Sequence, residues 1–244
     1  MCFGTNEEPN LYFNGERIEV VKQYKYVGAL VSPHKTISGD TFAKNTDYLC
    51  AQARKASFAM TKRLENASPT PMNLQISLFD TLVKSILTYS SEIWGVRKDA
   101  RDQIDVFFKQ FLKYHMRVKN STSDIIVYGE TGTFPISITI LANIFAFYHR
   151  LSNMSDHFLV KKVFTSLRHL SNGGFKTWIS EVNSLASSNN ISLDSDENNK
   201  VFKRKCKTLL ETQFKEDWLM QVHNLLRWYK TANHKFRILK TLGS

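Results

Sequence analysis

Helical periodicity along most of the chain is the sequence feature that most constrains its fold. From residue 41 to residue 230, apolar residues return every three or four positions, and prolines or glycines separate the periodic segments. This pattern predicts a mainly α-helical protein, a bundle of amphipathic helices packed around a shared core. We predict helices over residues 41–65, 72–92, 100–117, 135–152, 156–170, 174–188 and 198–230.

Two segments between these helices lack the periodicity. "STSDIIVYGETGTFP", residues 121–135, contains two glycines and a proline and is predicted to be a loop. "SSNNISLDSDENN", residues 187–199, is polar throughout and is predicted to be a linker before the last helix.

The N-terminal segment "LYFNGERIEVVKQYKYVGALV" has a different pattern, with alternating residues rich in Tyr, Phe, Val and Ile. Asn14-Gly15 is a strong hairpin signal, because a type I′ turn needs positive φ at both central residues. We predict strands near residues 10–13, 16–20 and 24–31. The helical bundle is therefore expected to follow a small antiparallel β-hairpin or sheet.

The net charge of +11 is concentrated at the C-terminus. Residues 200–244 hold 11 Lys/Arg and 3 Asp/Glu, a net charge of +8, whereas residues 1–199 hold 22 and 19, a net charge of +3. Such a basic excess is typical of proteins that bind an anionic partner such as nucleic acid. A solvated basic face without a ligand is an equally good interpretation of the charge alone.

The first long helix carries a second basic feature. At 100° per residue, Lys44, Lys55 and Lys62 lie on one face, with Arg54 and Arg63 beside them. The opposite face is apolar and consists of Leu49, Ala53, Ala56, Met60 and Leu64. A stripe of this kind can follow phosphates without reading bases, although a solvated helix face has the same pattern.

No motif for catalysis or metal binding stands out. The sequence has no H-E-x-x-H, C-x-x-C or H-x-x-H pattern, no phosphate loop and no nucleophile elbow. We therefore predict no catalytic residue, no metal ligand, no cofactor and no small-molecule substrate. Trp178, Trp218 and Trp228 could stack on bases, but at helical spacing they are more typical of a core. No long apolar run or secretory leader is present, so we expect an intracellular protein, cytoplasmic or nuclear, without a membrane partner.

Three segments together resemble one protein family. "LYFNGERIEVVKQYKYVGALVS" (11–32), "LTYSSEIWG" (87–95) and "DIIVYGETGTFP" (124–135) are similar to segments that follow the palm in LINE-type (non-LTR) retrotransposon reverse transcriptases. They occur in the same order and at similar distances. The resemblance covers about residues 3–152 and is fainter towards the C-terminus.

The resemblance implies roles for the residues already described. Tyr26, Val27 and Gly28 would occupy the primer grip beside the primer's 3′ end, where a glycine lets the backbone approach a nucleic-acid strand. The following helices would be the thumb, which packs on the RNA/DNA duplex, and the lysine stripe would track its backbone. The implied regions are a palm-edge hairpin at 1–34, thumb-like helices at 35–95, a linker helical region at 96–190, and a polar linker with a basic helical segment at 191–244.

The resemblance also implies what this chain would lack. The family's Tyr/Phe-Ala-Asp-Asp motif, whose carboxylates hold Mg²⁺ in the intact parent enzyme, does not occur in the sequence. We therefore expect a fragment of a reverse transcriptase that binds primer–template but does not polymerise. The alternative is an element-derived, non-enzymatic α-helical protein-interaction module. In the parent enzyme the small sheet would pack on the palm, which predicts exposed rings at Tyr12, Phe13, Tyr24 and Tyr26.

Overall fold

The computed structural model describes residues 10–18, 21, 23–32, 42, 44–65 and 70–242, and only the backbone of residues 228–242. Within these residues the protein is mainly α-helical, with two small antiparallel sheets at the N-terminus, which confirms the predicted fold class. The strands are β1 (Tyr12–Phe13), β2 (Glu16–Arg17), β3 (Tyr24–Tyr26) and β4 (Ala29–Val31). The helices are α1 (Asn45–Glu65), α2 (Met72–Leu82), α3 (Lys84–Leu87), α4 (Ser91–Trp94), α5 (Lys98–His115), α6 (Asp124–Thr131), α7 (Ile136–Ser152), α8 (Leu159–Asn172), α9 (Trp178–Ser188) and α10 (Asn199–Leu242).

The first hairpin forms where the sequence predicts it. β1 and β2 pair around Asn14-Gly15, whose φ angles are 49° and 82°. The second of these strands ends at Arg17, and residues 19 and 20 of the predicted strand lie outside the described residues.

The predicted third strand, 24–31, is wrong because this segment is itself a hairpin. β3 and β4 pair with each other, and the chain reverses at Val27-Gly28, with φ angles of 45° and 90°. A β-branched residue such as Val27 is rarely found at positive φ, so sequence propensity did not indicate the turn. The triplet Tyr26-Val27-Gly28 is therefore the end of β3 followed by the two turn residues of a hairpin.

Most helices lie close to their predicted positions, but the predicted helix 72–92 is three shorter helices, α2, α3 and α4. The main interruption is at residues 88–90, where Ser90 has a φ of 51°. The carbonyl of Tyr89 accepts a hydrogen bond from Trp94 Nε1 at 2.8 Å, which substitutes for a helical backbone bond. At the start of α1, residues 41 and 43 of the predicted helix lie outside the described residues.

The predicted loop 121–135 is wrong as well, because residues 124–131 form α6. Asp124 pairs with Lys109 and Lys113 of α5, each at 2.8 Å, and the buried Val127 joins the core. Trp218 Nε1 of α10 donates to the carbonyl of Ile125 at 2.8 Å. Contacts from α5 and α10 thus stabilise a helix whose interior Gly129 disfavours it.

Helix α7 lies at the centre of the bundle and packs against α4, α5, α8, α9 and α10. Its buried side chains include Ile140, Ile144 and Phe145, all fully inaccessible to solvent. A second part of the core joins α2 to α5. There the centroid of the Phe79 ring lies 4.2 Å from that of Phe111 and 5.0 Å from that of Phe108. One continuous core therefore connects the α1–α5 region with the later helices.

The linker predicted at 187–199 is confirmed for residues 189–198, which contain neither helix nor strand, whereas 187–188 end α9 and 199 begins α10. It is nevertheless held to the bundle, because Ile191 and Leu193 pack against the core. Helix α10 then buries Phe202, Cys206 and Leu210, four residues apart, mainly against α7.

Among the described residues, no single helix is both long enough and apolar enough to cross a membrane. Helices α6 and α7 pass that test only as a pair, and they meet at an angle of 76°.

Candidate nucleic-acid interface

The turn between β3 and β4 is held by a side chain from a distant part of the sequence. The Tyr89 hydroxyl donates a hydrogen bond to the carbonyl of Val27. A Cβ atom added to Gly28 would lie 3.0 Å from Cε1 of the Tyr89 ring. The close ring and the positive φ therefore both favour glycine at this position. Val27 and Tyr26 point outwards and are 71% and 65% exposed.

The same hairpin is attached to the start of α1. The backbone N–H of Leu30 donates to Oδ1 of Asn45 at 2.8 Å, and Asn45 is completely buried. On the other strand, Lys25 Nζ lies 5.2 Å from the centre of the Tyr48 ring, within the range of a cation–π contact. The hairpin tip and the first turn of α1 therefore belong to one structural unit.

The predicted basic stripe is exposed along α1. Lys44, Lys55, Lys62 and Arg63 lie on the surface, and none forms an ion pair with a carboxylate of the described residues. Arg54 is also exposed, but its guanidinium lies 5.9 Å from the Phe107 ring of α5. The predicted apolar face is confirmed: Leu49, Ala53 and Met60 are buried, and Ala56 and Leu64 are half-buried against the core.

Two residues of this surface were missed by the sequence analysis. Phe58 lies between Lys55 and Lys62 on the same face of α1 and is 72% exposed. Its spacing from the two lysines, three and four residues, was available in the sequence and could have identified it. Tyr89 could not have been found in this way, because it lies 62 residues from Val27, its hydrogen-bond partner.

The four aromatic residues predicted to be exposed on the hairpins are exposed. Tyr12, Phe13, Tyr24 and Tyr26 have between 55% and 71% of their surface accessible to solvent. The four rings lie on two separate hairpins, two on β1 and two on β3.

Trp178 and Trp218, two of the tryptophans considered for base stacking, are half-buried and held by contacts within the bundle. Trp178 Nε1 donates to the carbonyl of Glu92 at 3.1 Å, and its ring meets Phe147 edge to face. Trp218 is held by the carbonyl of Ile125. The Trp228 side chain lies outside the described part of the chain.

The described residues contain no group of three or more His, Cys, Asp or Glu side chains that could hold a metal ion. Burial raises the pKa of the Cys206 thiol to about 11 and also raises the pKa of Cys50. Both thiols are therefore protonated at neutral pH and unsuited to act as nucleophiles.

Comparison of the chain with protein-family models, curated proteins and solved structures found no match. Family membership therefore stays a prediction from the three sequence segments.

Proposed function

We propose that this chain binds a nucleic-acid duplex through α1 and the β3–β4 turn, as the thumb and linker part of a LINE-type reverse transcriptase. The observation that supports this most directly is the contact between Tyr89 and the Val27-Gly28 turn. Tyr89 belongs to the second of the three resembling segments and the turn belongs to the first. Two segments selected independently by their resemblance to one family thus meet at the position implied to be the primer grip.

The charge distribution on α1 suits a sequence-independent contact with phosphates. From Lys44 to Lys62 the stripe extends about 27 Å at the helical rise of 1.5 Å per residue. That length corresponds to roughly eight phosphate steps along one strand at 3.4 Å each. The lysines have flexible side chains and no carboxylate partner among the described residues, so they are available to displace counterions from a duplex.

In such a complex, charged side chains and apolar surfaces would make different contacts with the duplex. The lysines position the helix along the backbone, and the exposed Phe58 ring between them offers an apolar surface for sugars. The Tyr89 ring covers the side of Gly28 where a Cβ would lie, so a strand end would meet the exposed Tyr26 and Val27 at the hairpin tip. This chain would therefore hold and orient a primer–template, while polymerisation would require the palm carboxylates and Mg²⁺ of a complete enzyme.

The experiment that tests this proposal measures affinity for an RNA/DNA duplex by fluorescence anisotropy at several salt concentrations. Changing Lys44, Lys55 and Lys62 together to Gln should weaken binding about equally for every duplex sequence. It should also reduce the slope of log affinity against log salt by about 2–3, since each phosphate contact releases 0.7–0.9 of a counterion.

The matched control changes three other exposed lysines, Lys98, Lys119 and Lys162, to Gln and so removes the same charge. Equal loss of affinity in the two triple variants would mean that only net charge matters and would contradict the proposal. Truncation after Arg227 tests the competing basic segment of α10. If truncation abolishes binding and the α1 variant binds normally, α1 is not the interface.

A protein-interaction module derived from such an element is the second candidate. The outer edge of α8 favours it, since Leu159, Val163 and Leu170 lie along one side of this helix and are between 47% and 75% exposed. A protein with this function should show no salt-dependent affinity for the duplex, and the α1 variant should behave like the wild type in the same assay.

A further inference from the structure

A groove of about 280 Å³ lies between α4, α7 and the first turn of α10, in a part of the molecule that the duplex interface does not use. Ligand pockets usually enclose about 300–1,000 Å³, so this groove suits a small ligand of about the size of a sugar phosphate. The polar and aromatic residues that line it are Glu92, Asn143, Phe147, Arg150, Asn199 and Lys203.

The two carboxamides of the groove are fixed by hydrogen bonds to their neighbours. Asn143 Nδ2 donates to the Ser91 hydroxyl at 3.0 Å. Asn199 Oδ1 lies 3.1 Å from Nδ1 of His149, which is buried and stacks on Phe202 with a centroid separation of 4.3 Å. Since their orientation is set before any ligand arrives, these groups lose little conformational freedom on binding.

On the cationic side of the groove, the Arg150 side chain is positioned by an aromatic neighbour. The Arg150 guanidinium lies 5.0 Å from the centre of the Phe147 ring, and Trp178 supports that ring from its edge. Within the described residues, no carboxylate forms an ion pair with Arg150 or Lys203. The guanidinium is planar, and its fork of N–H groups matches the oxygens of a phosphate.

Glu92 determines what kind of phosphate fits. A carboxylate in the same groove would repel a bare phosphate, but it accepts hydrogen bonds well from the hydroxyls of a sugar attached to one. The first backbone donors of α10 are already used, because Lys200 N–H bonds to Asn198 Oδ1 and Val201 N–H bonds to the Asn198 carbonyl, each at 2.9 Å. Recognition would therefore come from the side chains.

We propose that this groove binds the ribose phosphate unit of a ribonucleotide. Arg150 and Lys203 bind the phosphate, Glu92 accepts hydrogen bonds from the ribose hydroxyls, and Asn143 and Asn199 complete the polar wall. The 2′-hydroxyl gives Glu92 a donor that a deoxyribose lacks, so the site distinguishes RNA from DNA chemistry. The proposal does not rest on the duplex interface of α1, and the two are tested with different ligands.

The test is calorimetric titration of the full chain with AMP, with dAMP and with inorganic phosphate. AMP should bind saturably at one site, and dAMP and phosphate should each bind about fivefold or more weakly than AMP. R150Q and K203Q should each weaken AMP binding by about tenfold, since each removes a charge-assisted contact. E92Q should bring the affinities of AMP and dAMP close together, because it weakens the contact with the 2′-hydroxyl and removes the same repulsion from both phosphates.

K200Q is the matched control, because Lys200 is an exposed lysine of the same helical turn that does not line the groove. It should bind AMP like the wild type. Absence of saturable AMP binding up to about 10 mM, equal affinity for AMP and dAMP, or equal effects of K200Q and K203Q would each overturn the proposal. Titration of the wild type and R150Q with a short single-stranded RNA then separates the two sources of this chemistry: binding tighter than AMP that R150Q weakens indicates an RNA chain, and RNA binding that R150Q leaves unchanged indicates a free nucleotide.

Discussion

Replacing Gly28 by Ala tests the geometry on which the proposed primer grip depends. Gly28 has a φ of 90°, and placing an L-residue in the left-handed region costs about 1–2 kcal/mol. The new Cβ would also lie 3.0 Å from the Tyr89 ring, which is 41% exposed and can move aside. That movement breaks the hydrogen bond from the Tyr89 hydroxyl to Val27, at a further cost of about 0.5–1.5 kcal/mol.

The free energy of opening the β3–β4 hairpin should therefore fall by about 1.5–3.5 kcal/mol in G28A. Hydrogen exchange of the Leu30 amide reports this opening, because that N–H bonds to the buried Asn45 side chain at 2.8 Å. Where exchange follows the opening equilibrium, the amide should exchange roughly 10- to 300-fold faster, at tenfold per 1.4 kcal/mol. The melting temperature should change little, since the hairpin lies at the periphery of the core.

Two comparisons separate the cost of placing an alanine at positive φ from the cost of displacing the Tyr89 ring. Gly15 also has positive φ, 82°, but an added Cβ would meet no atom within 4 Å. G15A should therefore lower the free energy of opening the β1–β2 hairpin by only about 1–2 kcal/mol. In a Tyr89→Ala background the ring is absent, so G28A should cost about the same as G15A. If G28A is as costly without the ring as with it, Tyr89 does not hold this turn.

Three further outcomes are expected. Phe79→Ala should lower the free energy of unfolding by about 3–5 kcal/mol in urea titration, because its ring is fully buried against Phe108 and Phe111. Phe58→Ala should change that free energy by less than about 0.5 kcal/mol, since the ring is 72% exposed, yet it should weaken duplex binding in the anisotropy assay. Burial opposes ionisation of Asp124, but hydrogen bonds from Lys109 and Lys113 outweigh it and lower its pKa. This carboxylate therefore stabilises the fold above its unfolded pKa of about 3.9, and the stabilisation is lost as pH falls through the lower folded pKa. Asp124→Asn should lower the free energy of unfolding by about 1 kcal/mol at pH 7, a modest value because solvent partly screens the two ion pairs. In strong acid the same substitution should change that free energy very little. An equal loss at both pH values would show that the ion pairs are not responsible.

The sequence was most informative where one periodic signal controls the structure. The apolar spacing located α1, α5 and α7 to within about four residues, because residues at intervals of three and four share one face of a helix. Asn14-Gly15 fixed the first hairpin through its backbone conformation alone. The same spacing placed Lys44, Lys55 and Lys62 on an exposed face of α1, opposite the buried Leu49 and Ala53.

Tertiary contacts decided the features that local patterns could not. Helix α6 forms because Lys109, Lys113 and Trp218, from two other helices, satisfy Asp124 and the Ile125 carbonyl. The interruption after α3 depends on Trp94, whose indole takes the Tyr89 carbonyl out of the helical pattern.

In the candidate interface, too, local sequence determines some features and tertiary contacts determine others. Its charges follow from the spacing within one helix and could be predicted from the sequence. Its hairpin tip could not, because the turn at Val27-Gly28 contradicts the local preference of valine and is held by Tyr89, 62 residues away. The groove around Arg150 likewise joins side chains of α4, α7 and α10. Local sequence determines which face of an element is apolar or charged, whereas only the packed structure determines which distant groups meet, since that depends on how all the faces fit together.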